Sequence, residues 1–212
     1  MRFGADEAGK GPAVGSMFAA AIAGPAAAIP DDVDDSKRLS DARRADLARA
    51  IRGAEELQTA VAEVPVERID APETDMNTLT VAAQAEALSA VLSGGERGIV
   101  DAGDTDEGRF ADRVAERLPV DVALTAEHGA DGRYPHVAAA SVLAKEARED
   151  HVAALAERYG EVGSGYPSDP TTRAFLADYV DREGELPACA RASWGTCEDV
   201  LAAAEQSSLA EF

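Results

Sequence analysis

Two short apolar segments open the chain, Arg2 to Asp6 and Met17 to Ala23, and between them lie Gly9, Gly11, Pro12 and Gly15. Each segment is too short for a self-burying helix and is bounded by turn-forming residues, so the pair reads as two core strands folded back on one another. That choice constrains everything downstream, because a sheet started this way must be completed by later strands. The first segment also ends unusually. Asp6 and Glu7 close it, and Ala8-Gly9-Lys10-Gly11 follows. Hard carboxylate oxygens suit a divalent cation, and glycines let backbone N–H groups come close to a phosphate.

The rest of the pattern continues the sheet. Ser40 reads as the N-cap of a helix from Asp41 to about Arg52, and Leu57 to Val64 alternates as a third strand. Asn77 or Thr78 is placed to cap an amphipathic helix reaching about Leu92, and Gly98-Ile99-Val100-Asp101 is a strand with a carboxylate at its end. A helix from Glu107 to Leu118, a strand from Asp121 to Thr125, a loop carrying Asp131 and a long helix from about His136 to Tyr159 follow. Three successive strands and then strand–helix alternation predict an α/β fold. Its mixed five-stranded sheet is flanked by helices, with the first and fourth strands as neighbours. The domain division expected is 1–186 for the sheet domain and 187–212 for a small helical C-terminal extension.

A chain of 212 residues can bury a sizeable core without disulfides. No apolar run is long enough to span a bilayer and no basic apolar leader opens the chain, so a soluble, cytoplasmic protein is expected. Cys189 and Cys197 lack zinc-site spacing and read as reduced thiols with no assigned chemistry. His128, His136 and His151 show no ligand spacing with one another.

Forty acidic against twenty basic residues give a formal net charge of −20, which on its face argues against nucleic acid or anionic membrane as partner. Acidic, alanine-rich and lysine-poor composition also resembles proteins of cells with molar internal salt. There the Debye length falls to about 3 Å and self-repulsion is screened. Only three of the twenty basic residues are lysines: Lys10, Lys37 and Lys145. Their scarcity marks them as phosphate contacts, with Arg148 a further basic residue one turn beyond Lys145, although each alone would also suit a solvated helix face.

Gly4, Gly9 and Lys10 have the spacing of a phosphate-binding P-loop, but Gly11 stands where Ser or Thr is required and a strand rather than a helix follows. Asp6, Glu7, Asp101 and Asp131 all fall at or just beyond the carboxyl end of an expected strand, where ligand sites of such sheets lie. If the four converge, their repulsion in a crevice calls for cations, and Mg2+ or Mn2+ fits. About one residue in five is acidic, so acidic neighbours also arise by chance.

Five stretches in order carry a resemblance: Gly4 to Pro12; Asp35-Ser36-Lys37-Arg38-Leu39; Val100-Asp101-Ala102; Ala138 to Lys145; and Gly163 to Pro170. Together they resemble the type 2 ribonucleases H, the ribonuclease HII family, in its archaeal branch and with a halophile's composition. The resemblance implies an RNase H-like fold and a metal-dependent endoribonuclease whose ligands are Asp6, Glu7, Asp101 and Asp131. It implies hydrolysis of the RNA strand of RNA:DNA hybrids and cutting 5′ of ribonucleotides embedded in duplex DNA. The scheme is two-metal-ion catalysis that leaves 3′-hydroxyl and 5′-phosphate ends. Gly9, Lys10 and Gly11 would approach the ribose 2′-hydroxyl, and Tyr166 would pack at the ribo–deoxyribo junction. Position 10 is more usually arginine in this family, and Glu149 stands where aspartate is typical.

The tail Gln206-Ser207-Ser208-Leu209-Ala210-Glu211-Phe212 is similar to a sliding-clamp box, in which Gln206, Leu209 and Phe212 would engage PCNA from one helical turn, without the box's second aromatic. The chain is expected to act as a monomer. Two other readings stay open at this level: a different two-metal phosphotransferase on a related sheet, and a clamp-associated protein that grips hybrid without cutting it.

Overall fold

The computed structural model describes residues 2–33 and 40–210, the last four by backbone alone. Strand β1 (Arg2–Ala8) pairs antiparallel with β2 (Met17–Gly24) over its whole length, from Arg2↔Gly24 to Ala8↔Phe18. Helix α1 (Asp41–Gly53) is capped by Ser40, whose side chain accepts from the Arg43 N–H. Strand β3 (Gln58–Val64) follows, then the single turn α2 (Val66–Ile69) and helix α3 (Met76–Ser89). Strand β4 (Arg97–Asp101), helix α4 (Glu107–Ala115) and strand β5 (Ala123–Glu127) complete the sheet, in the order β3-β2-β1-β4-β5. Helices α5 (Pro135–Tyr159), α6 (Pro170–Glu183) and α7 (Gly195–Ala210) form the rest. The expected mixed five-stranded sheet with β1 beside β4 is what forms. None of the helices among the described residues is long and apolar enough to cross a membrane.

Some boundaries differ from expectation, each for a local reason. Strand β1 runs two residues past Asp6 because β2 continues to pair with it as far as Ala8. The cap of α3 is Asp75, not Asn77 or Thr78. Its carboxylate accepts both of their N–H groups and the Thr78 hydroxyl as well, a stronger arrangement than either alternative offers. Strand β5 lies two residues later than expected, in the register that pairs Arg97 with Ala123. Helix α6 was not anticipated, although Asp169 as N-cap with Pro170 at the first helical position is a legible start signal.

Contacts group the chain into two compact units. The first comprises Met1–Ala8, Phe18–Glu63 and Asp75–Arg148. The second comprises Gly9–Met17, Val64–Thr74 and Glu149–Phe212. Within the first unit the sheet is covered on both faces. Phe3, Ala5, Ala21 and Val100 pack with Val81, Leu88 and Phe110 on one face, and Ala20 and Ile22 pack with Ile51, Ala139 and Leu143 on the other. Every residue of β2 is therefore buried, and its small side chains let helices approach closely. Gly4 marks the tightest point. A Cβ there would stand 2.6 Å from the Val137 nitrogen and 2.7 Å from the His136 carbonyl carbon, so only glycine lets α5 lie on β1 at this spacing. In the second unit Val14, Val162, Phe175, Leu176, Cys189 and Cys197 form the core.

Candidate functional site

Strands β1, β4 and β5 run parallel to one another, so their carboxyl ends share one edge of the sheet. The pairing Ala5↔Val100 sets Asp6 beside Asp101 on adjacent strands. Alternation along β1 then separates the first two carboxylates. Gly4 and Asp6 face α5, while Phe3, Ala5 and Glu7 face α3 and α4.

Asp6 is buried, and its carboxyl is pushed well above the ordinary carboxylate range, first by burial and then by the charges of Glu7 and Asp101. The Glu7 N–H donates to Asp6 Oδ1 at 2.7 Å and works in the opposite direction. So does the nearby Ser141 hydroxyl on α5, which nevertheless has no well-formed hydrogen bond among the described residues. Glu7 receives a hydrogen bond from Gln84 Nε2 at 2.6 Å, and the same amide nitrogen donates to the Asp101 carbonyl oxygen at 3.0 Å. Gln84 is fully buried in α3, and its Oε1 also lacks a partner among the described residues. The Asp101 carboxylate accepts the Ala130 N–H at 2.7 Å, which ties the end of β4 to the short helical turn Ala130–Gly132 that carries the buried Asp131.

This edge sets the charges of Glu7 and Asp101 against Asp6 and holds Asp131 next to Asp101's backbone partner. No group of three carboxylate, imidazole or thiol residues among the described residues is already closed around a cation position. The donor set nonetheless fits a hard divalent ion. It consists of oxygens, it contains a carboxyl whose ionisation is suppressed by burial and then by like charges, and it has two orphaned buried polar atoms beside it. Mg2+ in particular keeps several waters and binds through one or two carboxylates.

Other polar groups on this edge are already occupied. Glu127, next to Asp101 in register, is held by Arg133 and by the Tyr134 hydroxyl, each at 2.8 Å. His128 has Nδ1 2.8 Å from Glu107 and Nε2 2.7 Å from the Asp104 carbonyl oxygen, so both ring nitrogens are engaged. Away from this edge, His136 bonds the Gly24 carbonyl at the opposite end of β1, and within the second unit His151 accepts the Ser16 N–H.

Of the expected substrate contacts in the first unit, Lys145 lies on α5 one turn beyond Ser141 and is half-buried, whereas Arg148 is buried. Lys37 and its motif fall outside the described residues. In the second unit Tyr166 is exposed, and its ring lies 3.7 Å from the position a Cβ would take on Gly11, so these two expected contacts are neighbours. The loop Gly163–Pro170 that carries Tyr166 is pinned from both ends. The Gly165 carbonyl accepts from the Ala13 and Val14 N–H groups, and the Asp169 carboxylate accepts from the Ser164 and Thr171 N–H groups. Helix α7 carries the exposed Gln206, while the Leu209 side chain and Phe212 lie outside the described residues.

Two participants were not assigned a role from the sequence. Gln84 is the sole amide in the apolar stretch Val81–Leu88, a polar residue on a face otherwise built for the core, and that was its signal. Ser141 stood inside a recognised motif, but only the pairing of Gly4 with α5 turns it toward Asp6.

The family model described as Ribonuclease HII matches residues 3–197. Ribonuclease HII of Haloarcula marismortui is 65% identical over 212 residues, covering 100% of both chains. That of Halobacterium salinarum is 64% identical over the same length, covering 100% of this chain and 99% of its own. Among solved structures, ribonuclease H2 of Pyrococcus horikoshii superposes with a TM-score of 0.89 at 32% identity, covering 97% of this chain and 99% of the other. The ribonuclease HII in a PCNA complex from Archaeoglobus fulgidus has a TM-score of 0.82 at 35% identity, covering 94% and 96%. On the strength of the family model and of these relatives, the chain belongs to the ribonuclease HII family of metal-dependent endoribonucleases, alongside its haloarchaeal members.

Proposed function

We propose that this ribonuclease H, an endonuclease of RNA:DNA hybrids, also cuts immediately 5′ of single ribonucleotides embedded in duplex DNA and leaves 3′-hydroxyl and 5′-phosphate ends. The observation that carries the reading is the crowding of Asp6 by Glu7 and Asp101 at the strand ends, where an ionised Asp6 needs a cation to be stable. Asp6, Glu7, Asp101 and Asp131 would hold Mg2+ or Mn2+. Ions bound there would supply a lowered pKa for the attacking water and neutralisation of the departing 3′-oxygen. Gln84 orients Glu7, and the Ala130 N–H orients Asp101.

Gly9, Lys10 and Gly11 would contact the ribose, Tyr166 would stack at the junction, and Lys37, Lys145 and, more weakly, Arg148 would contact phosphates. At molar salt the gain from counterion release is small, so binding rests on short-range contacts of this kind, which screening leaves largely intact. Gln206, Leu209 and Phe212 would dock on a sliding clamp, a reading supported by the related Archaeoglobus protein's complex with PCNA. The enzyme is read as a cytoplasmic monomer, with 1–186 as the catalytic segment and 187–212 as the extension.

The test is a labelled DNA duplex with one ribonucleotide, incubated at molar KCl with Mg2+ or Mn2+, beside an all-DNA duplex and the Asp101→Asn variant. A metal-dependent cut on the 5′ side of the ribonucleotide, absent from both controls, is expected. Cutting of long hybrid with the single-ribonucleotide duplex left intact would overturn the finer reading, and undiminished cutting by Asp101→Asn would remove that residue from the centre.

A further inference from the structure

Arg191 is the largest fully buried side chain among the described residues and takes no part in the chemistry described above. Its guanidinium donates from Nη2 to the Gly9 carbonyl at 2.7 Å, from Nη1 to the Lys10 carbonyl at 3.1 Å and from Nε to the Gly15 carbonyl at 2.8 Å. Its backbone N–H donates to the Ala13 carbonyl at 2.8 Å. Three residues on, Trp194 Nε1 donates to the Gly11 carbonyl at 3.3 Å, with the Arg191 guanidinium 5.0 Å from the Trp194 ring centre. The segment Arg191–Trp194 therefore holds the carbonyls of Gly9, Lys10, Gly11, Ala13 and Gly15.

In a trans peptide the N–H points opposite the carbonyl of the same unit, so with the Gly9 and Lys10 carbonyls turned toward Arg191 the Lys10 and Gly11 N–H groups point to the other side of the loop. N–H groups in a glycine-rich turn donate to an oxygen lone pair or to an anion. Gly9 makes the turn with φ +87°, a conformation that disfavours any side chain. A buried positive charge beneath the loop strengthens its field toward a bound oxygen, and a rigid planar fork reaches three carbonyls from three different residues in a way an ammonium does not. We propose that Arg191, assisted by Trp194, is a positioning residue for ribose recognition: it sets the Gly9-Lys10-Gly11 loop so that its N–H groups face the 2′-oxygen of the substrate. The inference rests on the reading that this loop contacts the ribose.

The test compares the full-length wild type with Arg191→Lys and Trp194→Phe, the second keeping the ring while removing the donor. Three quantities are measured: kcat/KM on the single-ribonucleotide duplex, affinity for the all-DNA duplex of the same sequence, and amide exchange of residues 9–15 in the free protein. Arg191→Lys should lose about tenfold or more in kcat/KM, and Trp194→Phe about threefold, with all-DNA affinity within about twofold of wild type and exchange of the loop accelerated. Loss of both duplexes by the same factor would make Arg191 a purely structural residue and overturn the inference, as would an Arg191→Lys variant with undiminished kcat/KM. If the wild type itself shows no ribonucleotide selectivity, the function reading is what fails. Loop exchange then stands as the separate readout, accelerated exchange supporting the positioning of the loop by Arg191 and unchanged exchange overturning it.

Discussion

Replacing Gln84 with leucine separates the orientation of Glu7 from the stability of the fold. In the native protein the Gln84 amide nitrogen serves the Glu7 carboxylate at 2.6 Å and the Asp101 carbonyl at 3.0 Å, while its oxygen is buried without a partner among the described residues. Removing the amide loses a hydrogen bond to a charged group, about 1.5–3 kcal/mol, and a weaker one to the carbonyl, about 1 kcal/mol. Against this, the variant no longer buries an unsatisfied oxygen, a relief of about 1–3 kcal/mol. It also places an isobutyl group among Val81, Ala85 and Leu88, where apolar burial contributes about 1–2 kcal/mol more. Glu7 is only half-buried, so water can replace the lost donor. The two sides nearly cancel, and urea denaturation at fixed molar KCl should give a stability within about 1 kcal/mol of wild type. If Glu7 is a ligand as proposed, metal affinity, titrated calorimetrically with Mn2+, should nevertheless fall about 10- to 100-fold, as should cutting at subsaturating metal, because the outer partner that orients it has been removed. Wild-type metal affinity in a folded Gln84→Leu protein would refute the argument. A loss of more than about 3 kcal/mol would show instead that the amide serves the core.

Gly4→Ala should destabilise by about 1–3 kcal/mol or more, read from the urea midpoint, since its Cβ would meet α5 backbone at 2.6 Å; a wild-type midpoint would mean that α5 can move aside. The Asp169 carboxyl, held to about 2 by the Ser164 and Thr171 N–H groups, contributes stability that is complete above its ordinary value of 3.8 and is lost as pH falls through about 2. Between those values the stability of Asp169→Asn should fall less steeply than that of wild type in a pH series of denaturation curves, and parallel curves would contradict the assignment. Burial pushes the Cys189 and Cys197 thiols up to about 11 from 9.0. Iodoacetamide at pH 8 should therefore label the folded protein at least about 100-fold more slowly than the unfolded chain, followed by mass spectrometry, and equal rates would mean that these thiols are accessible.

Much of the sheet was legible because its signals are local. Turn residues bracket β1 and β2, Ser40 caps α1, and Asp101 closes an apolar run of strand length. The boundary errors arose where a neighbour decides the outcome. Asp75 captured the α3 cap because its carboxylate reaches two N–H groups at once, and β5 took its place from its register with β4. Helix α6 has a readable start in Asp169-Pro170 directly after the glycine-rich loop Gly163–Ser168.

By itself the sequence determined the strand and helix periodicity, the glycines at the tight turns, and the placing of Asp6, Glu7 and Asp101 at strand ends, all properties set within a few residues of chain. Tertiary structure alone decided which groups serve them. Gln84 meets Glu7 across 77 residues, and Arg191 meets Gly9, Lys10 and Gly15 across 176 to 182. The suppressed ionisation of Asp6 arises in the same way, from burial and from Asp101 on a neighbouring strand. Periodicity repeats along the chain and can be read from it, whereas a hydrogen bond between distant residues exists only once packing has fixed both ends.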